Sequence, residues 1–102
     1  MDIVFDNDNL LKLYTSGISR KYRISDDVLR KFIMRIRQIE AAATIHDLWK
    51  TPSLHFEKLS GMEMYSIRLD KKWRMELKID WNNSEKTVGT VHIIEISVHY
   101  GD

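Results

Sequence analysis

The sequence predicts an α+β domain: an N-terminal strand and two or three helices packed on one face of a small antiparallel sheet. Two observations carry this. In the first half, Leu29, Phe32, Ile33, Ile36, Ile39 and Ala43 recur every three or four positions, the stripe of an amphipathic helix. From Leu54 onward the apolar period becomes two, the mark of strands with one covered face. Neither repeat, low-complexity tract nor linker interrupts the 102 residues, which hold one Pro and four Gly. A single domain over 1–102 follows, and a chain of this size buries about two thirds of its unfolded surface.

The elements are predicted in this order. Residues 1–6 nearly alternate and read as a first strand. Asn7-Asp8-Asn9 offers N-caps for a short helix carrying Leu10, Leu11, Leu13 and Tyr14, with Gly17 as its stop. Ser25 caps the long helix, expected from about Asp26 to Ala43, with Asp26 and Asp27 complementing its dipole. Thr44 caps a short extra turn through Trp49, and Pro52 begins an extended segment. Leu54–Leu59 is expected as a strand. Tyr65–Leu69 and Trp73–Ile79 then form a hairpin about the turn Asp70-Lys71-Lys72. A polar loop from Trp81 to Val88 leads to a last strand, about Thr90 to Tyr100. Trp73 is expected in the core, Trp81 at the base of the loop, and Trp49 packed under the helix.

Composition excludes several classes. Hydrophobic residues make up 43% and charged residues 30%, which is a folding composition. Without cysteine there is no disulfide framework, Cys-ligated zinc or thiol nucleophile. No apolar run approaches the length of a membrane span, and the first residues have no signal-peptide character, so a cytoplasmic setting without membrane contact is expected. A net charge of +1 argues against nucleic-acid binding by bulk charge.

Alternation sorts the polar residues further. If Tyr65, Ile67, Leu69, Trp73, Met75, Leu77 and Ile79 face the helices, then Arg68, Arg74, Glu76 and Lys78 share the open face. In the last strand, His92, Ile94, Ile96, Val98 and Tyr100 take the covered face. Glu95, Ser97 and His99 then join the arginines if the register is unbroken. His55 and Glu57 are candidates for the same open face, opposite in parity to Lys58. Arginines suit phosphate because their planar donors bind it bidentately. An imidazole or carboxylate beside them can move a proton. The competing reading is a solvated face with cross-strand ion pairs, each contributing roughly 0.2–1 kcal/mol.

Four segments in order then resemble a known family. They are Leu54-His-Phe-Glu-Lys-Leu-Ser-Gly61, Tyr65-Ser-Ile-Arg-Leu69, Trp73-Arg-Met-Glu-Leu77 and Ile94-Glu-Ile-Ser-Val-His-Tyr-Gly101. Together they resemble the HigB-like toxins of the RelE/ParE superfamily, toxins of bacterial type II toxin–antitoxin modules, over essentially the whole chain. The resemblance implies the RelE-like fold and a ribosome-dependent endoribonuclease that cuts mRNA without metal or other cofactor. It also implies a cognate helix-turn-helix antitoxin that blocks the toxin, with DNA contacted only through that antitoxin.

By the same resemblance, Arg74 matches the arginine after the strand Trp and is the first candidate for phosphate stabilisation; Arg68 is the second. Glu57 and Lys58 fall where members carry catalytic or RNA-contacting residues. Several members have His followed by a Pro-Leu-Lys-Gly turn; here the turn is Lys-Leu-Ser-Gly, with Ser60 in place of the turn lysine. Many members close with Asp-Tyr-His, whereas this chain has Val98-His99-Tyr100. His99 is a candidate acid or base and Tyr100 a candidate stacking group, with the two roles left open by the swapped order.

RNA or ribosome contacts are expected from His55, Lys58, Lys71 and Lys72, and from Arg30, Lys31, Arg35 and Arg37 on the long helix. Seven cations lie between residues 20 and 37 against Asp26 and Asp27, so the near-neutral total hides a cationic segment. That run is also compatible with a solvated helix side or an antitoxin contact. Two rival functions share this fold: a ParE-like inhibitor of gyrase, and a catalytically impaired toxin that only binds its antitoxin.

Overall fold

The structure, a computed structural model, describes residues 1–98. His99 and Tyr100 lie outside the described residues. Strand β1 (Ile3–Phe5) is followed by α1 (Asp8–Ser16), α2 (Asp26–Ala41) and α3 (Ile45–Trp49). A 3₁₀ turn (Pro52–Leu54) leads into β2 (Glu57–Lys58), β3 (Tyr65–Arg68), β4 (Trp73–Trp81) and β5 (Gly89–Val98). The α+β architecture is as expected. No helix among the described residues is long and apolar enough to cross a membrane.

Each helix begins where a side chain meets its free N–H groups. The Asn7 side chain accepts from the N–H of Asn9, and Gly17 ends α1 at φ 73, a conformation in which a side chain would be strained. Ser25 accepts from the N–H of Val28 at the start of α2. Thr44 and Asp47 form a reciprocal capping box on α3. Helix α2 ends at Ala41, and it is Ala42, not Ala43, that is buried.

The sheet order is β1-β5-β4-β3-β2. Contrary to an all-antiparallel expectation, β1 lies parallel to β5, with Ile3 opposite Val91 and Phe5 opposite Ile93. The helices and hairpin between them supply the long connection a parallel pair needs. Leu10 and Leu13 of α1 and Phe32, Ile36 and Ile39 of α2 share one buried cluster with Ile67, Met75, Leu77, Val91, Ile93 and Ile96. Burying each such side chain contributes about 1.5–3 kcal/mol. The helices therefore cover one sheet face and leave the other for polar groups.

The register along β5 is broken, which corrects the expected parity. Glu76 faces Glu95 but Leu77 faces Ile93, so Ile94 is an extra, bulged residue. Val91 and Ile93 are buried before it, and Ile96 after it. A single alternation cannot bury both sets, and the bulge reconciles them. His92, expected on the covered face, instead lies opposite Lys78 on the open face, while Glu95 and Ser97 sit on that face as expected.

The strand expected at Leu54–Leu59 shrinks to two residues. Pro52 starts a 3₁₀ turn, and His55 closes it in the left-handed region at φ 45. Phe56 is buried and stacks on Tyr65, with ring centroids 5.2 Å apart. Trp81 meets the Tyr65 ring edge-on. Trp49, expected to be covered, is half-exposed with its ring against Phe56, and Trp73 is only partly buried at the end of the core.

Candidate functional site

The hairpin register builds the site. Arg68 at the end of β3 stands directly opposite Arg74 of β4, and Arg74 opposite Ser97 of β5. One row along the same face run Glu57, Ser66, Glu76 and Glu95. A cationic row thus lies beside a carboxylate row. Two guanidiniums directly across a strand pair repel. A bound anion would relieve that repulsion.

Glu57, Ser66, Arg68 and Arg74 of these rows line a shallow hollow of about 60 Å³ on the open face. His55 and Glu57 line it from the 3₁₀ turn and β2, Ser66 and Arg68 from β3, Asp70 and Lys71 from the turn, and Trp73 and Arg74 from β4. Small-molecule pockets run to about 300–1,000 Å³. This one has room for a phosphate-sized group whose attachments remain outside it. Asp70 Oδ1 accepts from the N–H groups of Lys72 (2.8 Å) and Trp73 (2.6 Å), which folds the turn and brings Lys71 to the rim. Ser66 Oγ donates to Glu57 Oε1 at 3.5 Å, and Ser97 Oγ donates to Glu76 Oε2 at 2.5 Å. The face thus offers cationic donors with carboxylates close by.

Of the residues expected from sequence, His55, Glu57, Arg68, Lys71 and Arg74 come together in this hollow. Lys58 does not line it; its ammonium reaches Glu63 at 3.5 Å. Lys72 lies over the Trp73 ring, 5.9 Å from its centroid. Arg30, Lys31 and Arg37 are exposed on α2, with Arg30 paired to Asp27. Ser66, Asp70 and Trp73 were not expected in the site. Ser66 and Asp70 share the parity of Arg68, and that was the available signal.

Arg35 requires a correction. It was expected on the solvated side of the long helix as a ribosome contact, yet it is buried, at 5% exposure. Its spacing with Val28, Phe32 and Ile39 is that of the core stripe, so helix geometry overrides residue type. Nε donates to the carbonyl of Arg68 (3.2 Å), Nη2 to the carbonyl of Ser53 (3.1 Å) and Nη1 to Gln38 Oε1 (3.0 Å). Burial lowers the pKa of its guanidinium from the ordinary value.

Elsewhere on the same face, His92 Nδ1 lies 2.8 Å from Asp6 Oδ1, and its Nε2 is 3.9 Å from Asp80. Beyond the end of β1, Tyr22 donates its hydroxyl to Glu95, and Lys21 reaches the same carboxylate at 3.5 Å. Burial first, and then Glu95, push the Tyr22 phenol well above its usual pKa. No group of three or more His, Asp or Glu among the described residues is arranged to hold a metal ion.

No curated protein matches the chain. Among solved structures, one described as a YoeB/ParE toxin from Agrobacterium tumefaciens is similar, with a TM-score of 0.54 and 17% identity. That match covers 98% of this chain and 100% of the other, and at this identity it speaks for the fold alone. A family model described as "RelE-like toxin of type II toxin-antitoxin system HigB" matches residues 3–91. The match spans the helical half, the hairpin and both arginines of the hollow, and the chain belongs to this family of HigB-like toxins.

Proposed function

We propose that this toxin is a ribosome-dependent endoribonuclease that cuts mRNA and so stops translation, acting in the cytoplasm until its antitoxin neutralises it. The observation that carries the reading is the Arg68–Arg74 pair, set opposite each other in a phosphate-sized hollow with Glu57 and His55 at its wall.

The ribose 2′-hydroxyl of mRNA attacks the adjacent phosphorus. A P–O bond forms to the 2′ oxygen and the P–O bond to the 5′ oxygen breaks. The products are a cyclic phosphate and a 5′-hydroxyl end. Glu57 takes the 2′ proton, and Arg68 and Arg74 stabilise the negative charge that grows on the phosphorane. His99 or Tyr100 returns a proton to the leaving 5′ oxygen, a part assigned from sequence alone. His55 and Lys71 hold the flanking backbone. With only a phosphate-sized hollow, the domain depends on the ribosome to present the strand in line.

Inducing the toxin and mapping mRNA 5′ ends tests this. New 5′-hydroxyl ends within translated frames are expected, absent when translation is blocked beforehand. Arg74→Ala should cut the cleavage rate by about 10²–10³-fold, the usual loss of one charge-stabilising donor. Growth arrest with intact mRNA and broken DNA would instead mark a gyrase inhibitor, and no arrest at all an impaired toxin.

A further inference from the structure

Among the described residues, Arg35 is the charged side chain buried within the core. Burying a guanidinium is costly unless its donors are met, and an apolar side chain of similar volume would fill the space at no such cost. Core stability therefore does not account for an arginine here. What a methionine cannot do is hold two backbone segments at once. Arg35 donates to the carbonyl of Arg68, the last residue of β3, and to the carbonyl of Ser53 in the 3₁₀ turn.

Both segments are walls of the hollow. One carries Arg68. The other carries His55, two residues past Ser53 and held at φ 45. The strand that should fasten this second wall, β2, is only two residues long, so its ladder pairing is slight. We infer that Arg35 is a positioning residue: its planar fork ties the 3₁₀ turn to the end of β3 and sets the spacing between His55 and Arg68 for a bound phosphate. This inference rests on the proposed RNA-cleaving role of the hollow. Gln38 takes the remaining Nη1 donor and orients the fork. A lysine has a single ammonium and cannot reproduce the planar two-point grip.

The test compares Arg35→Lys, the milder Gln38→Leu and the core-thinning control Ile36→Val in the full chain. Ribosomes programmed with mRNA give kcat and KM, and amide hydrogen exchange reports local order. Arg35→Lys is expected to lower kcat about 10²-fold, the loss expected from a shift of about 1 Å in a catalytic wall, with KM for the ribosome kept. Exchange should quicken at residues 53–57 and 68–70 while β4 and β5 stay protected. Gln38→Leu should show the same pattern more weakly, and it carries the test where Arg35→Lys does not fold. Ile36→Val should leave kcat unchanged.

Unchanged kcat in both Arg35→Lys and Gln38→Leu, or exchange quickened evenly over the whole domain, would overturn the inference. If the wild type cuts no mRNA, the proposed function fails and inorganic phosphate becomes the probe, followed by amide shifts of Ser66 and Arg74. Phosphate binding weakened about tenfold in Arg35→Lys then upholds the positioning role, that being the worth of one charge-assisted hydrogen bond. Equal binding, or none in the wild type, overturns it.

Discussion

His55 occupies a backbone conformation that most side chains avoid, and it does so at the rim of the phosphate-sized hollow. The left-handed region costs a side-chain-bearing residue about 1–2 kcal/mol, whereas glycine enters it freely but loses about 0.5–1 kcal/mol through unfolded-state entropy. His55→Gly is therefore expected to raise stability by about 0.5 kcal/mol in urea denaturation. Under the proposed function, the same variant removes an imidazole from beside the scissile phosphate, and mRNA cleavage on ribosomes should fall about tenfold, one charge-assisted hydrogen bond's worth. Opposite movement of stability and activity is the signature of strain kept for function. A stabilised variant with full activity would show that the histidine serves neither. At this scale the sequence was informative where side chains alternate and silent where the chain turns. Parity alone placed Arg68 and Arg74 together. The left-handed His55 had no such signal, because histidine, though enriched at positive φ, is found there far less often than in the ordinary regions. Arg35 was misplaced because its charge suggested solvent, while the positions of Val28, Phe32 and Ile39 around it already placed it inward.

The elements stand on local chemistry that can be titrated. In α3, Asp47 Oδ2 accepts from the N–H groups of Ala43 (2.8 Å) and Thr44 (3.2 Å). Those two donors, chiefly, hold the Asp47 carboxyl below its usual pKa. A depressed folded pKa means that the stabilisation is present above the unfolded value, about 3.9, and is lost as pH falls through the lower folded value. The stability difference between wild type and Asp47→Ala is thus expected to be constant near neutrality and to shrink below about pH 4. Thr44→Ala, which removes the other half of the box, should cost about 1 kcal/mol with little pH dependence. A difference that persisted undiminished at pH 2 would mean that the carboxylate's charge plays no part. The same elements show what periodicity can and cannot reveal. Helix α2 and the β3–β4 hairpin are long and regular, so their apolar spacing declared them. The bulge at Ile94 was hidden because Val91, Ile93, Ile94 and Ile96 offer apolar residues in both parities. Pairing of β1 with β5 depends on contacts between the two ends of the chain, about which local pattern carries no information.

Over the whole molecule, a net charge of +1 coexists with cations on both sides of the sheet. Helix α2 packs on the covered side of the sheet and turns Arg30, Lys31 and Arg37 outward, away from the hollow. Arg68 and Arg74 lie on the other side, across a molecule whose shortest dimension is 23 Å. Cations on both faces suit a small protein seated between two segments of RNA, one of which is cut while the other anchors. The anchoring face would contribute affinity through phosphate contacts and counterion release, without affecting the chemistry. Replacing Arg30, Lys31 and Arg37 together by glutamine is therefore expected to weaken ribosome binding and to flatten its salt dependence. Each cation in contact with phosphate should remove about one unit of slope in log affinity against log salt. Arg30 is already paired with Asp27, so the loss should come nearer to about two units than three. At saturating ribosomes the cleavage rate should match the wild type, because Arg68, Arg74 and Glu57 are untouched. A titration series at several salt concentrations decides the matter. If affinity and slope remain those of the wild type, the helix face makes no RNA contact and is left to solvent or to the antitoxin. If the slope flattens while the saturated rate holds, binding and chemistry are carried by separate sides of the same thin domain.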